Sequence, residues 1–176
     1  MDIVEALKNT IRDVPDFPKK GIVFKDLTSI LKDPKLCLDI TSVFCDKIRP
    51  LAPDAIVALD SRGFWFALLI ATRLGVPMIP VRKEGKLPYK TIAKAYSLEY
   101  GTSKVEMHID ALQPGWKVFI HDDLLATGGT AAAASSLVLE QSAHVCGYGF
   151  IVELDSLEGR GKLKEFSENI VTLIHY

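Results

Sequence analysis

Apolar positions recur along the chain in two rhythms. Ile3, Val4, Leu7, Ile11 and Val14 fall at helical spacing and predict an amphipathic first helix. Pro15 to Gly21 reads as a loop, because two prolines and a glycine interrupt any ladder. A second helix is expected from Pro34, a good first-turn residue, with Leu36, Ile40, Val43, Phe44 and Ile48 on one face. Beyond Pro50 and Pro53 the pattern changes to short apolar runs. Ala55–Leu59, Met78–Val81, Val118–Ile120, Cys146–Leu154 and Ile170–Ile174 read as buried strands. Helices are expected at Gly63–Leu74, stopped by Gly75, and at the alanine-rich Ala131–Leu139. Such alternation predicts an α/β fold with a mostly parallel sheet covered on both faces. The stretch Lys83–Ala111 breaks the alternation and reads as a long loop plus an edge hairpin.

The 176 residues carry no repeat or linker, so residues 1–176 are expected to form a single domain. Hydrophobic residues make up 48%, enough for a folded core. The net charge of −1 argues against a general nucleic-acid or membrane-surface binder. The apolar run Phe64–Ala71 is far short of the roughly 18 residues a membrane span needs. Met1–Val14 shows no basic-then-apolar leader pattern. Cys37, Cys45 and Cys146 have neither metal-ligand nor disulfide spacing, so a reducing, cytoplasmic setting is expected. His108, His144 and His175 form no metal-ligand pattern either, and His121 reads as a hydrogen-bonded core histidine.

Candidate chemistry concentrates in Val118–Thr130, where an apolar strand runs into two carboxylates, then a small-residue turn, then a helix. Ala126, Thr127, Gly128, Gly129 and Thr130 can turn several backbone N–H groups toward one phosphate, helped by the following helix N-terminus. Asp122 and Asp123 suit ribose hydroxyls or hydrated Mg²⁺ rather than phosphate. The segment lacks the Gly-Lys-Ser/Thr ending of a P-loop and the glycine spacing of a dinucleotide fingerprint. Taken alone, a TGGT turn is equally an ordinary strand–helix connection capped by Thr130. Asp60-Ser61-Arg62-Gly63 falls between a predicted strand and helix, where open sheets place ligands, and Arg62 offers a fork for a phosphoryl group. Arg82, Lys83 and Lys86 form a cationic cluster that, from this stretch alone, is more simply a solvated face.

The segment DDLLATGGT, Asp122–Thr130, resembles the signature of type I phosphoribosyltransferases in its adenine phosphoribosyltransferase form. The resemblance covers nearly the whole chain through FPKKGIVFKDLT (Phe17–Thr28), DSRGFWF (Asp60–Phe66), VRKEGKLP (Val81–Pro88), YSLEYG (Tyr96–Gly101) and VELDSLEGRGKL (Val152–Leu163). It implies the type I fold, with a small N-terminal hood and a flexible lid loop or hairpin. It also implies the joining of adenine to 5-phosphoribosyl 1-pyrophosphate, giving AMP and pyrophosphate, with Mg²⁺ as cofactor and a homodimer as assembly. On this resemblance the 5′-phosphate sits in the Ala126–Thr130 loop, and Asp122 and Asp123 serve the ribose, directly or through water on Mg²⁺ held mainly by substrate. Ser61, Arg62, Lys83 and Lys86 bind pyrophosphate, with Arg82 reaching in from the other subunit. Glu99 is the general acid/base group and Tyr100 a lid residue. Val23, Phe24, Lys25 and Leu154 form the adenine slot. Lys25 stands where arginine is common and keeps the charge without the planar fork. Lys20 and His121 also depart from the family's usual proline and apolar residue.

Two other functions use the same loop chemistry. Relatives that act on hypoxanthine, guanine, xanthine or orotate differ in reading the base, and FPKKGIVFKDLT and YSLEYG favour adenine. A sensor that binds the donor without turnover would more naturally carry a DNA-binding module, for which this chain shows no basic recognition helix.

Overall fold

A computed structural model describes residues 2–97 and 102–176. Seven strands form one mixed sheet: β3 (Ala55–Leu59), β4 (Met78–Lys83), β5 (Thr91–Ser97), β6 (Thr102–His108), β7 (Lys117–Leu125), β8 (His144–Glu153) and β9 (Ile170–His175). Their order is β5-β6-β4-β3-β7-β8-β9. The five from β4 to β9 are parallel, and the β5–β6 hairpin adds two antiparallel edge strands. Among the described residues five α-helices accompany them: α1 (Ile3–Thr10), α2 (Pro34–Ile48), α3 (Gly63–Leu74), α4 (Gly129–Glu140) and the single-turn α5 (Gly159–Leu163). No helix among the described residues is long and apolar enough to cross a membrane.

The sheet separates two apolar layers. β3 is buried at every position, as a central parallel strand requires. Its alternate residues serve opposite faces: Ile56 and Ala58 join Ile40, Phe44, Phe66 and Ile70, while Val57 and Leu59 join Ile120, Leu137, Val138 and Phe150. α2 starts where expected because Asp33 caps it, accepting from the Leu36 N–H at 3.0 Å, with Pro34 in the first turn. α3 stops at Gly75, whose φ of 73° takes the left-handed turn that ends the helix.

Three sequence expectations are corrected. The first helix ends at Thr10, and Val14 lies instead in β1 (Arg12–Pro15), which pairs antiparallel with β2 (Val23–Asp26). This small hairpin is the N-terminal hood; its cross-strand bonds replace the extra helical turn. The strand expected at Val118–Ile120 continues to Leu125, because β8 pairs with it through both acidic positions and beyond. Much of Lys83–Ala111 is strand, with seven residues in each arm of the β5–β6 hairpin, so the loop is shorter than the pattern suggested. Glu99, expected as the general acid/base group, and Tyr100, expected in the lid, lie outside the described residues.

Candidate active site

Strand order reverses around β3: its parallel neighbours are β4 on one side and β7 on the other. The crevice of an open α/β sheet lies at the carboxyl ends of strands flanking such a point. Here those ends carry Asp60-Ser61-Arg62 after β3, and Asp122-Asp123 with the Ala126–Gly128 turn on β7.

The loop after β3 is in direct contact with the acidic pair near the end of β7. Arg62 Nε lies 2.9 Å from Asp123 Oδ2. The approach is ionic rather than a well-aligned hydrogen bond, since Oδ2 is buried without one among the described residues. Asp122 Oδ1 accepts the Asp123 N–H at 2.8 Å, turning that carboxyl back on its own strand. The first residue of α3 has to be glycine for this arrangement: a methyl at Gly63 would lie 2.9 Å from the His121 carbonyl oxygen and 3.0 Å from Asp122 Oδ1. Burial, and then the negative charge of Asp123, raises the Asp122 pKa well above the ordinary carboxylate value. Burial also raises that of Asp123, against the opposing pull of Arg62. The two carboxyls therefore titrate as a pair.

The Ala126–Thr130 turn has the form the sequence suggested. Gly128 is the N-cap of α4 with φ 75°, and no side chain caps the helix. Thr130 is thus inside the first turn and is not the cap of an ordinary connection. The first N–H groups of α4 are left for an anion, and the helix dipole favours one there. Asp122, Thr127, Gly128, Gly129 and Thr130 line a concavity of about 80 Å³ at this point.

The hood reaches the same crevice. The Arg62 guanidinium lies 5.4 Å from the centroid of the Phe24 ring, a cation–π distance, and Phe17 meets Phe24 edge-on at 5.1 Å. Val23 is exposed. Lys25 is turned away from a charged role at a base: its ammonium pairs with Asp13 at 2.7 Å and sits 3.8 Å over the Tyr176 ring. Leu154 follows β8 and donates its N–H to the Leu125 carbonyl at 2.9 Å, beside the phosphate loop. Arg82 is held within its own chain by Asp60, 3.3 Å away, and by the Lys86 carbonyl at 3.0 Å. Lys83 and Lys86 are exposed.

The sequence reading missed Glu106. This buried residue of β6 accepts from the Lys86 and Leu87 N–H groups, both at 2.9 Å, and from Thr91 Oγ1 at 3.2 Å. Burial pushes its pKa up, but these donors outweigh that and hold it below the ordinary value. Glu106 shapes the basic turn, and only strand pairing brings it there. His121 is fully buried, 5.1 Å from the Phe44 ring and edge-on to it, and neither ring nitrogen has a hydrogen-bond partner among the described residues. It is a core histidine as expected, but not a hydrogen-bonded one. Glu153, Asp155 and His175 place one ligand atom each within 4.8 Å of one another, a set able to coordinate a metal. The Glu153 carboxylate in this set is already engaged by the Arg160 guanidinium.

Comparison with known proteins agrees with this architecture. Residues 26–168 match the family described as the phosphoribosyl transferase domain. The chain is 55% identical over 172 residues to an adenine phosphoribosyltransferase of Cytophaga hutchinsonii, covering 98% of this chain and 95% of that one. It is 48% identical over 161 residues to one of Anaeromyxobacter dehalogenans, covering 92% and 94%. The crystal structure of adenine phosphoribosyltransferase from Thermoanaerobacter pseudethanolicus superposes with a TM-score of 0.94 at 45% identity, covering 98% of this chain and 99% of that one. That of Saccharomyces cerevisiae, complexed with an imino-altritol bisphosphate and adenine, gives 0.92 at 39% identity, covering 98% of each. With the acidic pair, the uncapped glycine loop and the Arg62 loop gathered at one sheet edge, the chain belongs to the adenine phosphoribosyltransferase family of phosphoribosyltransferases.

Proposed function

We infer that this chain joins adenine to 5-phosphoribosyl 1-pyrophosphate, giving AMP and pyrophosphate. The observation that carries the reading is that the acidic pair joins two elements of different chemistry. An uncapped helix N-terminus suited to a phosphate monoester shares a concavity with Asp122, and the Arg62 guanidinium meets Asp123. A donor with a phosphate at each end of a ribose spans that arrangement.

In this reading the Ala126–Thr130 backbone takes the 5′-phosphate and Asp122 and Asp123 accept from the ribose hydroxyls. Ser61 and Arg62 hold the pyrophosphate, with Lys83 and Lys86 adding charge from the rim. Phe24 stacks on the adenine ring, Leu154 covers its other face, and the Val23 backbone reads its edge. Glu99 manages the proton released as the purine nitrogen attacks, and Tyr100 closes the site. Lys25 acts through the hood's own ion pair with Asp13 rather than on the base.

Mg²⁺ fits the site by donor chemistry. The Asp122 and Asp123 oxygens are the hard ligands this ion takes, directly or through water. When bound, it neutralises charge on the departing pyrophosphate. The Glu153, Asp155 and His175 set suits it less well, because Arg160 competes for Glu153.

A homodimer is the proposed assembly. Leu68 and Leu69 on α3, the helix that follows the Arg62 loop, are 55% and 41% exposed apolar side chains that such an interface would cover. In such a dimer Arg82 would leave Asp60 to serve the second subunit's pyrophosphate. The cytoplasm is the proposed compartment, consistent with three free cysteines.

The test is an absorbance assay for AMP formation from adenine, 5-phosphoribosyl 1-pyrophosphate and Mg²⁺, with hypoxanthine and guanine run alongside. Turnover with adenine alone is expected. Donor binding without turnover of any base would overturn the reading in favour of a sensor.

A further inference from the structure

The phosphate loop has little of its own to hold it in shape. β7 ends at Leu125, α4 begins at Gly129 without a side-chain cap, and the turn between is small residues. What lies against it is the corner at Glu158–Gly159, in the VELDSLEGRGKL segment to which the reaction assigns only Leu154. Two backbones meet there with no side chain between them. A methyl group on Gly128 would lie 2.6 Å from the Gly159 carbonyl oxygen. One on Gly159 would collide with the Ala126 carbonyl oxygen and lie 3.0 Å from both Gly128 N and Leu125 Cδ1. Gly161, two residues on, has nothing within 4 Å of the same position.

The corner is itself fastened. Arg160 donates from Nε to Glu153 Oε1 at 3.0 Å, from Nη2 to Glu153 Oε2 and, at 3.1 Å, to Thr172 Oγ1, and from Nη1 to the Ile170 carbonyl at 3.3 Å. Thr172 Oγ1 also donates to Glu153 Oε2 at 2.7 Å. Glu153 is buried at the end of β8, opposite Leu125 in the ladder. The guanidinium fork thus ties the segment carrying Gly159 to the same sheet edge from which the phosphate loop springs. A loop that binds through backbone N–H groups needs those groups held in place beforehand, and one misplaced by about 1 Å costs on the order of 100-fold in rate.

We propose that Gly159, seated by Arg160, is a positioning residue for the phosphate loop and thereby sets its affinity for the 5′-phosphate monoester. The role rests on the assignment of Ala126–Thr130 to that phosphate. Gly159 touches no substrate in it; it acts through Ala126 and Gly128.

Calorimetric titration with two separate probes tests this: ribose 5-phosphate for the loop and pyrophosphate with Mg²⁺ for the Arg62 side. In Gly159→Ala, ribose 5-phosphate binding is expected to weaken at least tenfold and pyrophosphate binding to stay within twofold. In steady state KM for the donor should rise while KM for adenine holds. Gly161→Ala should match the wild type. Arg160→Lys, which keeps Gly159 and the charge but loses the fork, should show a smaller loss of the same kind, and it carries the test if Gly159→Ala does not fold. Wild-type ribose 5-phosphate affinity in Gly159→Ala, equal loss in Gly161→Ala, or equal loss of both ligands would overturn the proposal. Thr127→Ala separates it from the assignment beneath. Weakened binding in Thr127→Ala with none in Gly159→Ala refutes the positioning role alone. No loss in either, or no binding to the wild type, refutes the loop assignment and the positioning role with it.

Discussion

Arg62 and Asp123, far apart in sequence, meet 2.9 Å apart at the carboxyl edge of the sheet, and the carboxylate of the pair is almost wholly buried. Removing the guanidinium leaves a buried carboxyl without its counter-charge, so Arg62→Ala should cost roughly 1–3 kcal/mol of stability. It should cost turnover far more, on the order of 100-fold or greater, because in the proposed reaction the same group holds the leaving pyrophosphate. Melting curves beside kcat measurements check this. Wild-type turnover in Arg62→Ala would defeat the assignment.

Asp122 predicts a stability–function conflict. Its folded pKa is raised, by burial first and the charge of Asp123 second. The folded state therefore holds this proton more tightly than the unfolded one. The stability so gained is fully present below the ordinary value of 3.8 and is lost as pH rises through the folded value. Above that ordinary value the buried Asp122 costs stability, so Asp122→Asn should melt at a higher temperature than the wild type at pH 8 and lose that advantage at pH 4. Its activity should fall. A variant that is less stable at pH 8 would contradict this account.

His121 has the opposite dependence. Burial lowers its pKa from 6.5 to about 3, so the unfolded chain takes up a proton that the folded chain refuses. Stability is lost as pH falls below 6.5 toward the folded value, amounting to about 2 kcal/mol at pH 5. His121→Leu should remove this loss, giving a larger stabilisation at pH 5 than at pH 8 in chemical denaturation. Equal effects at the two pH values would mean that the imidazole is not held neutral.

Glu106→Ala should loosen the basic turn. Its Lys86 and Leu87 bonds are lost together, so pyrophosphate binding should weaken several-fold while KM for adenine is unchanged. The lowered pKa of Glu106 means that its contribution is present above the ordinary 4.5 and is lost as pH falls through the folded value. The wild type should therefore lose more stability than Glu106→Ala on going from pH 6 to pH 3, measured by denaturant titration.

The sequence alone determined the elements whose signals are local. α2 has its cap and first-turn proline within four residues, β3 is a continuous apolar run, and α3 ends at its glycine; all three lie where the pattern put them. The glycine turn before α4 was legible for the same reason, since the turn, the acidic pair and the helix start are contiguous. The Arg62 loop was legible from its place between a strand and a helix, whereas the family resemblance supplied the hood residues and the adenine slot, which no local pattern would have joined. Tertiary structure decided what depends on partners distant in sequence. Val14 left the helix because β2 offered it a ladder, and β7 ran on through Asp123 because β8 did the same. Lys25 was drawn to Asp13, Glu106 to the basic turn, and Gly159 to the back of the phosphate loop. Hydrophobic periodicity records which face a residue turns to the core. Which polar group or bare backbone waits on the other side is set by strand order, and that is decided only when the whole sheet has closed.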